Sequence, residues 1–348
     1  MIKALKKLQT IFYCIYRINW IKFFKLYNKN AKNVLWFYPF YREHFCTQSI
    51  EREFGAIYSF IKNNQPFKIV FSKKIGKIKD SNVFFFSTQH YNEHKFVNYT
   101  QILHYISKQL EEQNNKVYPT SGESLYWENK IYMHQKFKEL NINQPNTVII
   151  DRNTFNEESV IPLAFPFLIK EPHSCSSLGL YKVNNEEEFK QKVFGENQLL
   201  KKNGELILQE LINMRSDMRI TLVGDEICLH YWRINKQKEW RPTATGYGSD
   251  VDFISFPEKW RTHLINECKK FNLTSLGADI TFDNNDQDSL PIFLEVSPFY
   301  QPNPAVDLTS INVPYGVYKK QFKLKNSWDI KFVDIIFELQ DKIMLKYY

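Results

Sequence analysis

The sequence predicts a mixed α/β protein made of more than one lobe. Three observations carry that prediction. The chain of 348 residues is longer than a typical single domain. Between residues 33 and 118, short apolar runs alternate with stretches of helical periodicity. From about 206 to 300 the pattern is mostly short β-type runs separated by turn residues.

In chain order, residues 1–29 read as an aromatic, basic helix. Eight Lys or Arg (3, 6, 7, 17, 22, 25, 29 and 32) lie between Lys3 and Lys32, with no acid among them. Such a helix either caps the first domain, the reading favoured here, or makes peripheral contact with an anionic membrane surface. It is no membrane span, because Arg17, Lys22 and Lys25 interrupt its most apolar stretch, residues 11–26. Residues 33–40 (NVLWFYPF), 67–71 (FKIVF) and 82–87 (NVFFFS) read as buried strands, and 50–63 and 97–114 as helices. A turn at 118–122 closes this unit. Then follow a helix at 127–140, strands at 147–150, 167–170 and 179–183, a helix at 186–194 and a strand at 206–211. Strands at 218–223 and 226–234, a helix at 257–271, and strands at 275–282 and 290–296 complete the reading. The implied domains are an N-terminal helix (1–32), an open α/β domain (33–120), a small lobe (121–209) and a C-terminal lobe (210–348).

Composition narrows the function classes. A net charge of +8 invites a nucleic-acid reading, but the whole of that excess sits in the N-terminal segment up to Lys32 and the remainder is balanced. We therefore expect no nucleic-acid partner. Cysteines 14, 46, 175, 228 and 268 form no CxxC pair, which suits a reducing cytoplasm and argues against a disulfide framework or a structural zinc. The turn 283–288 (DNNDQD) lacks the glycine and the final glutamate of a calcium loop and reads as an ordinary turn. His90 and His94 have no evident third ligand. Cys175 has no base placed beside it by the sequence.

Three residues carry more chemistry. Lys170 ends the apolar strand FLIK and precedes a loop of small hydroxyl residues, a pattern suited to closing on a polyphosphate. Asp279 (LGADI) and Glu295 (FLEVS) each sit between apolar residues on neighbouring strands, as paired carboxylates do when they hold Mg²⁺ against phosphates.

The order Lys130, Lys170, Gln209-Glu210, Asp217-Met218-Arg219, Arg233, Arg241, Asp279, Glu295 resembles the ATP-grasp superfamily, in particular its glutathione-synthetase and RimK-like ligase branch. The resemblance covers roughly residues 120–305 and implies an ATP-grasp fold preceded by an open α/β domain. By that likeness, Lys130 and Lys170 would be the two nucleotide lysines. Gln209, Glu210 and Leu211 would form the hinge at the adenine edge, Asp217 would face the ribose side, and Arg219 would be a further nucleotide-binding residue. Arg233 and Arg241 would join Lys170 in stabilising the transferred phosphate, and Asp279, Glu295 and Ser297 would hold the metal. The expected cofactors are ATP and Mg²⁺, with Mn²⁺ as an alternative. Two departures stand out: Gly179 is the one glycine in the phosphate loop, and Ser297 stands where the family commonly has Asn.

The implied function is an ADP-forming carboxylate–amine ligase working through an acylphosphate in the cytoplasm, with small-molecule carboxylate and amine substrates. The alternatives are an ATP-grasp phosphotransferase and a non-catalytic nucleotide-binding module at a membrane surface. Phe299, Tyr300, Gln301 and Asn303 are candidate acceptor contacts, with aromatic packing as the other reading of the first two. No motif sets an oligomeric state.

Overall fold

The apolar runs of the N-terminal third become a parallel sheet. The computed structural model describes residues 2–37, 47–72, 74–86, 96–174, 177–196, 198–300, 313–314 and 331–348. Strands β1 (Asn33–Phe37), β2 (Phe67–Phe71), β3 (Asn82–Phe84) and β4 (Lys116–Tyr118) pair in the order β2-β1-β3-β4, all parallel. In β1, Val34, Leu35 and Trp36 are all buried, as a strand covered on both faces requires. Helices α1 (Ile2–Arg17), α2 (Trp20–Leu26), α3 (Thr47–Lys62) and α4 (Phe96–Glu111) belong to the same unit.

The single N-terminal helix expected from sequence is two. Asn19 ends the first and caps the second, its side chain accepting from Lys22 N at 3.0 Å. Strand β3 is shorter than the run at 82–87 suggested, and Lys116–Tyr118 adds a strand not among the expected elements, ending where the expected turn 118–122 begins. His90 and His94 lie outside the described residues.

The chain divides into two units. One comprises the described residues up to Leu125 and the segment 331–348; the other runs from Tyr126 to residue 300, with 313–314. The sequence reading carried the C-terminal lobe to 348. Helix α10 (Lys331–Met344) instead packs on α3 in the first unit. Its Asp341, almost fully buried, accepts from Ser59 Oγ at 2.6 Å and Asn63 Nδ2 at 2.6 Å and pairs with Lys62 Nζ at 2.8 Å. Three donors from one helix turn offset the cost of burying that carboxylate.

The second unit contains two antiparallel sheets. Strands β5 (Thr147–Asp151), β6 (Phe167–Lys170), β7 (Leu180–Val183) and β8 (Glu205–Glu210) pair in the order β5-β8-β6-β7. Phe167, Ile169, Leu206 and Leu208 pack there against Phe189 and Val193 of α7 (Glu186–Val193) and Leu199 and Leu200 of the short α8 (Leu199–Asn203).

The other sheet has the order β13-β12-β9-β10-β11-β14. Its strands are β9 (Ser216–Val223), β10 (Glu226–Ile234), β11 (Asp250–Asp252), β12 (Ser275–Thr281), β13 (Ile292–Ser297) and β14 (Val313–Pro314). Its apolar face, with Met218, Ile220, Ile280 and Phe293, packs on Met133 and Phe137 of α6 (Lys130–Glu139) and Leu264 and Cys268 of α9 (Arg261–Lys269). The expected helix 257–271 thus begins as a separate turn of 3₁₀-helix at Glu258–Trp260. A one-turn helix, α5 (Ser121–Ser124), capped by Thr120, ends the first unit.

Candidate functional site

The alternation in SDMRITLV places the site. On β9, Met218 and Ile220 enter the core, so Asp217 and Arg219 share the opposite face. Register then brings their partners to that face: Arg233 on β10 lies opposite Asp217, Asp279 on β12 opposite Arg219, and Glu295 on β13 opposite Asp279. Five charged residues separated by up to 78 positions in sequence thereby form one row across four strands.

Four of them form a closed network. Arg219 grips Asp279 with both arms, Nε to Oδ1 at 2.6 Å and Nη2 to Oδ2 at 2.7 Å. Arg233 donates Nε to Asp217 Oδ1 at 2.9 Å, bonds Asp217 Oδ2 through Nη2, and reaches Asp279 Oδ2 at 2.7 Å. Asp217, Asp279 and Arg233 are buried. Burial works to raise the Asp279 pKa, but the Arg219 and Arg233 charges outweigh it and hold the carboxyl well below its usual range. Counted over its lone pairs, Asp279 keeps one free acceptor position on Oδ1.

Two lysines face this row. Lys130 opens α6 behind the cap Asn129, whose side chain accepts from Tyr132 N at 3.2 Å. Its Nζ donates to Ser174 O and lies 4.0 Å from Glu295 Oε1. The ammonium of Lys170, at the end of β6, makes no hydrogen bond or ion pair among the described residues. Burial and the neighbouring Lys130 charge pull its pKa down to about 8, against the opposing influence of Glu295 and Asp279. The loop after Lys170 closes through Glu171 N to Gly179 O at 2.8 Å. Gly179 has φ +66°, and a Cβ there would stand 2.9 Å from Glu171 Cβ, so both backbone and space require glycine. Cys175 lies outside the described residues.

The remaining expected residues are placed as follows. Gln209 is buried, and its amide donates to Thr147 Oγ1 at 2.9 Å and meets His134 Nε2 at 3.5 Å. Glu210 N donates to Asn146 O at 2.9 Å, while its carboxylate accepts from Asn146 N at 3.2 Å. Leu211, next along, makes no hydrogen bond among the described residues. Arg241 donates Nε to Asn235 Oδ1 at 3.1 Å, with no carboxylate partner among the described residues. Ser297 Oγ donates to Phe299 O at 2.9 Å and accepts from Phe299 N at 3.1 Å, which leaves one lone pair.

Of the candidate acceptor contacts, Phe299 packs edge-on against Trp127 at 4.4 Å between ring centroids, and Tyr300 lies over Gly277. Both are packing residues. Gln301 and Asn303 lie outside the described residues.

Sequence reasoning missed His134. It is buried, and its Nδ1 lies 2.8 Å from Gln144 Oε1. Burial and the charge of Lys170 hold its pKa down at about 3, so the ring is neutral, with Nδ1–H donating to Gln144 and Nε2 accepting from Gln209. Its position one helical turn after Lys130 was the available signal. Among the described residues no three His, Cys, Asp or Glu side chains converge as a metal site, so a cation here would share two carboxylates with oxygens of a bound group.

A sheet carrying an Arg–carboxylate row, faced by two lysines from a second sheet and a helix start, is the arrangement of an ATP-grasp fold. The chain belongs to the RimK-like ATP-grasp family, whose model matches residues 127–314. Solved structures share the fold at low identity. A D-alanine–D-alanine ligase from Bacillus anthracis, complexed with ATP, superposes with a TM-score of 0.54 at 13% identity, covering 92% of this chain and 100% of that one. The ATP-grasp ligase PsnB, complexed with a variant precursor, Mg and ADP, gives 0.53 at 11% identity, covering 92% and 100%. A RimK-domain ATP-grasp protein from Sphaerobacter thermophilus gives 0.51 at 11% identity, covering 90% and 99%. No curated protein matches the chain by sequence.

Proposed function

We propose that the protein is an ATP-dependent, ADP-forming carboxylate–amine ligase. The observation that carries this reading is the Lys170 ammonium, held without a counter-ion beside Lys130 and facing the Asp279–Glu295 pair. Two adjacent cations, one with a depressed pKa, are an unfavourable arrangement that a polyphosphate would relieve.

The chain's residues fit such a nucleotide. The unpaired backbone of Leu211, following Gln209 and Glu210, offers a hydrogen-bonding edge to a base. Asp217 would face the ribose, with Arg219 a further contact to the nucleotide. Glu295, the free acceptor position of Asp279 Oδ1 and the remaining lone pair of Ser297 supply oxygen donors suited to Mg²⁺ or Mn²⁺. A bound cation supplies charge neutralisation at the phosphates.

In this reading a substrate carboxylate attacks the γ-phosphate to give an acylphosphate and ADP, and an amine then displaces phosphate to form an amide. Lys170, Arg233 and Arg241 hold the negative charge of the transferred group, and no protein nucleophile is needed. Arg241 is the guanidinium with spare donors, because Arg233 is committed to Asp217 and Asp279 until a ligand competes for it.

ADP release, followed while carboxylate–amine pairs are supplied, tests the proposal. Acceptor-stimulated release should fall by about 10²-fold or more in Lys170→Ala and Glu295→Ala; release as fast as in the wild type overturns it. Phosphorus NMR of the products separates a ligase, which yields free phosphate, from a phosphotransferase, which yields a phosphorylated acceptor. ATP binding with no acceptor-stimulated turnover would point to a nucleotide-binding module.

A further inference from the structure

The N-terminal helices present a surface that the ligase chemistry does not use. One side of α1 is committed to the fold: Cys14 is buried, as is Ile18 just beyond the helix, and Arg17 Nε bonds Asp334 Oδ1 of α10 at 2.5 Å. Among the described side chains, the other side is exposed. Leu8, Phe12 and Tyr16 are 52%, 66% and 76% exposed, and the four-residue spacing continues through Trp20 to Phe24, with Ile21 and Phe24 at 73% and 74%. Single exposed apolar residues are ordinary, but three at i, i+4 spacing on α1 followed by Trp20, Ile21 and Phe24 on α2, mostly aromatic, are not.

The charge beside this row has one sign. No acid occurs before Glu43, and Lys22, Lys25, Lys29 and Lys32 are exposed around and just beyond α2. The one Arg of the two helices is neutralised by Asp334; Lys25, Lys29 and Lys32 make no ion pair among the described residues. No helix among the described residues is long and apolar enough to cross a membrane.

We propose that α1 and α2 dock in the plane of an anionic lipid surface, with the row Leu8, Phe12, Tyr16, Trp20 and Phe24 entering the headgroup boundary and the lysines meeting lipid charge. Aromatic rings favour that boundary, and each lysine near an anionic surface raises partition about fivefold. A protein groove would call for apolar contacts but not for an unbroken run of positive charge.

Sedimentation of the full chain with sucrose-loaded vesicles tests this. Vesicles of phosphatidylcholine with about 30% phosphatidylglycerol are compared with phosphatidylcholine alone, at about 0.1 M and 0.5 M salt. Partition onto the anionic vesicles should exceed that onto neutral ones by at least about tenfold and fall at high salt. Lys25→Gln with Lys29→Gln and Lys32→Gln should lower it about a hundredfold. Phe12→Ser with Phe24→Ser should abolish it at unchanged melting temperature, because both rings are already exposed. Equal partition onto neutral and anionic vesicles, or binding untouched by both variants, overturns the proposal. So does a dimer in vesicle-free solution that the Phe12/Phe24 variant dissolves, which would make the row a contact between two copies.

Discussion

Lys170 and His134 are neighbours with opposite pH signatures. Lys170 has its pKa lowered to about 8, so between pH 8 and 10.5 the unfolded chain binds a proton that the folded one does not. The cost of burying the ammonium is therefore fully present below pH 8 and is relieved as pH rises. A bound polyphosphate restores the charge, so binding above pH 8 must take up a proton. Calorimetry of ATP binding at pH 8.5 in two buffers of different ionisation enthalpy should give an uptake of about 0.8 proton, absent in Lys170→Met. Uptake that persists in the variant would place the titrating group elsewhere. His134 has its pKa lowered to about 3, so its stability contribution is present above 6.5 and lost as pH falls towards 3. Between pH 7 and 5, His134→Gln should lose about 2 kcal/mol less unfolding free energy than the wild type in urea titrations.

Strands, more than helices or loops, determined what the sequence could disclose. β9 and β12 were legible because an apolar alternation is interrupted by charges on one face only, and those charges are Asp217, Arg219 and Asp279. β4 and β11 were not, because three residues are too few for a period and β11 reads Asp-Val-Asp. The break between α1 and α2 rests on a single side-chain cap at Asn19, a signal smaller than the aromatic pattern running through it. The order of site residues was visible, but their mutual commitment was not: nothing in the sequence indicates that Asp279 is gripped by two guanidiniums. That grip gives a prediction for the sheet. Arg219→Met leaves the buried Asp279 carboxylate short of a bidentate partner and should destabilise the second unit by about 3 kcal/mol. Adding Asp279→Asn should recover at least half of that loss, because the uncompensated charge is gone. Equal instability of the single and double variants, measured by urea unfolding, would show that packing of the Arg stem matters more than its charge.

At the scale of the molecule, the chain crosses from one unit to the other and then returns its last helix to the first. α10 places Val333, Ile336, Phe337, Leu339, Ile343 and Met344 in buried positions, and the residues after it cover the sheet. Tyr347 meets Phe84 at 5.1 Å between ring centroids, and Tyr348 meets Phe60 at 6.1 Å. At about 2 kcal/mol for each buried side chain, the six on α10 contribute about 12 kcal/mol. That is as large as the whole stability of an ordinary domain. Fit is close as well as extensive, since a Cβ on Gly55 of α3 would stand 3.0 Å from Gln340 Cβ. Removing residues 331–348 should therefore unfold the first unit while leaving the second, whose described core draws on none of these residues, intact. Amide hydrogen exchange can separate the two outcomes strand by strand. In the truncated chain, protection should collapse in β1, β2 and β3 and persist in β9 and β12. Full protection of β1 after truncation would mean that the parallel sheet and its own helices suffice, and that α10 is an addition to the first unit rather than part of its core.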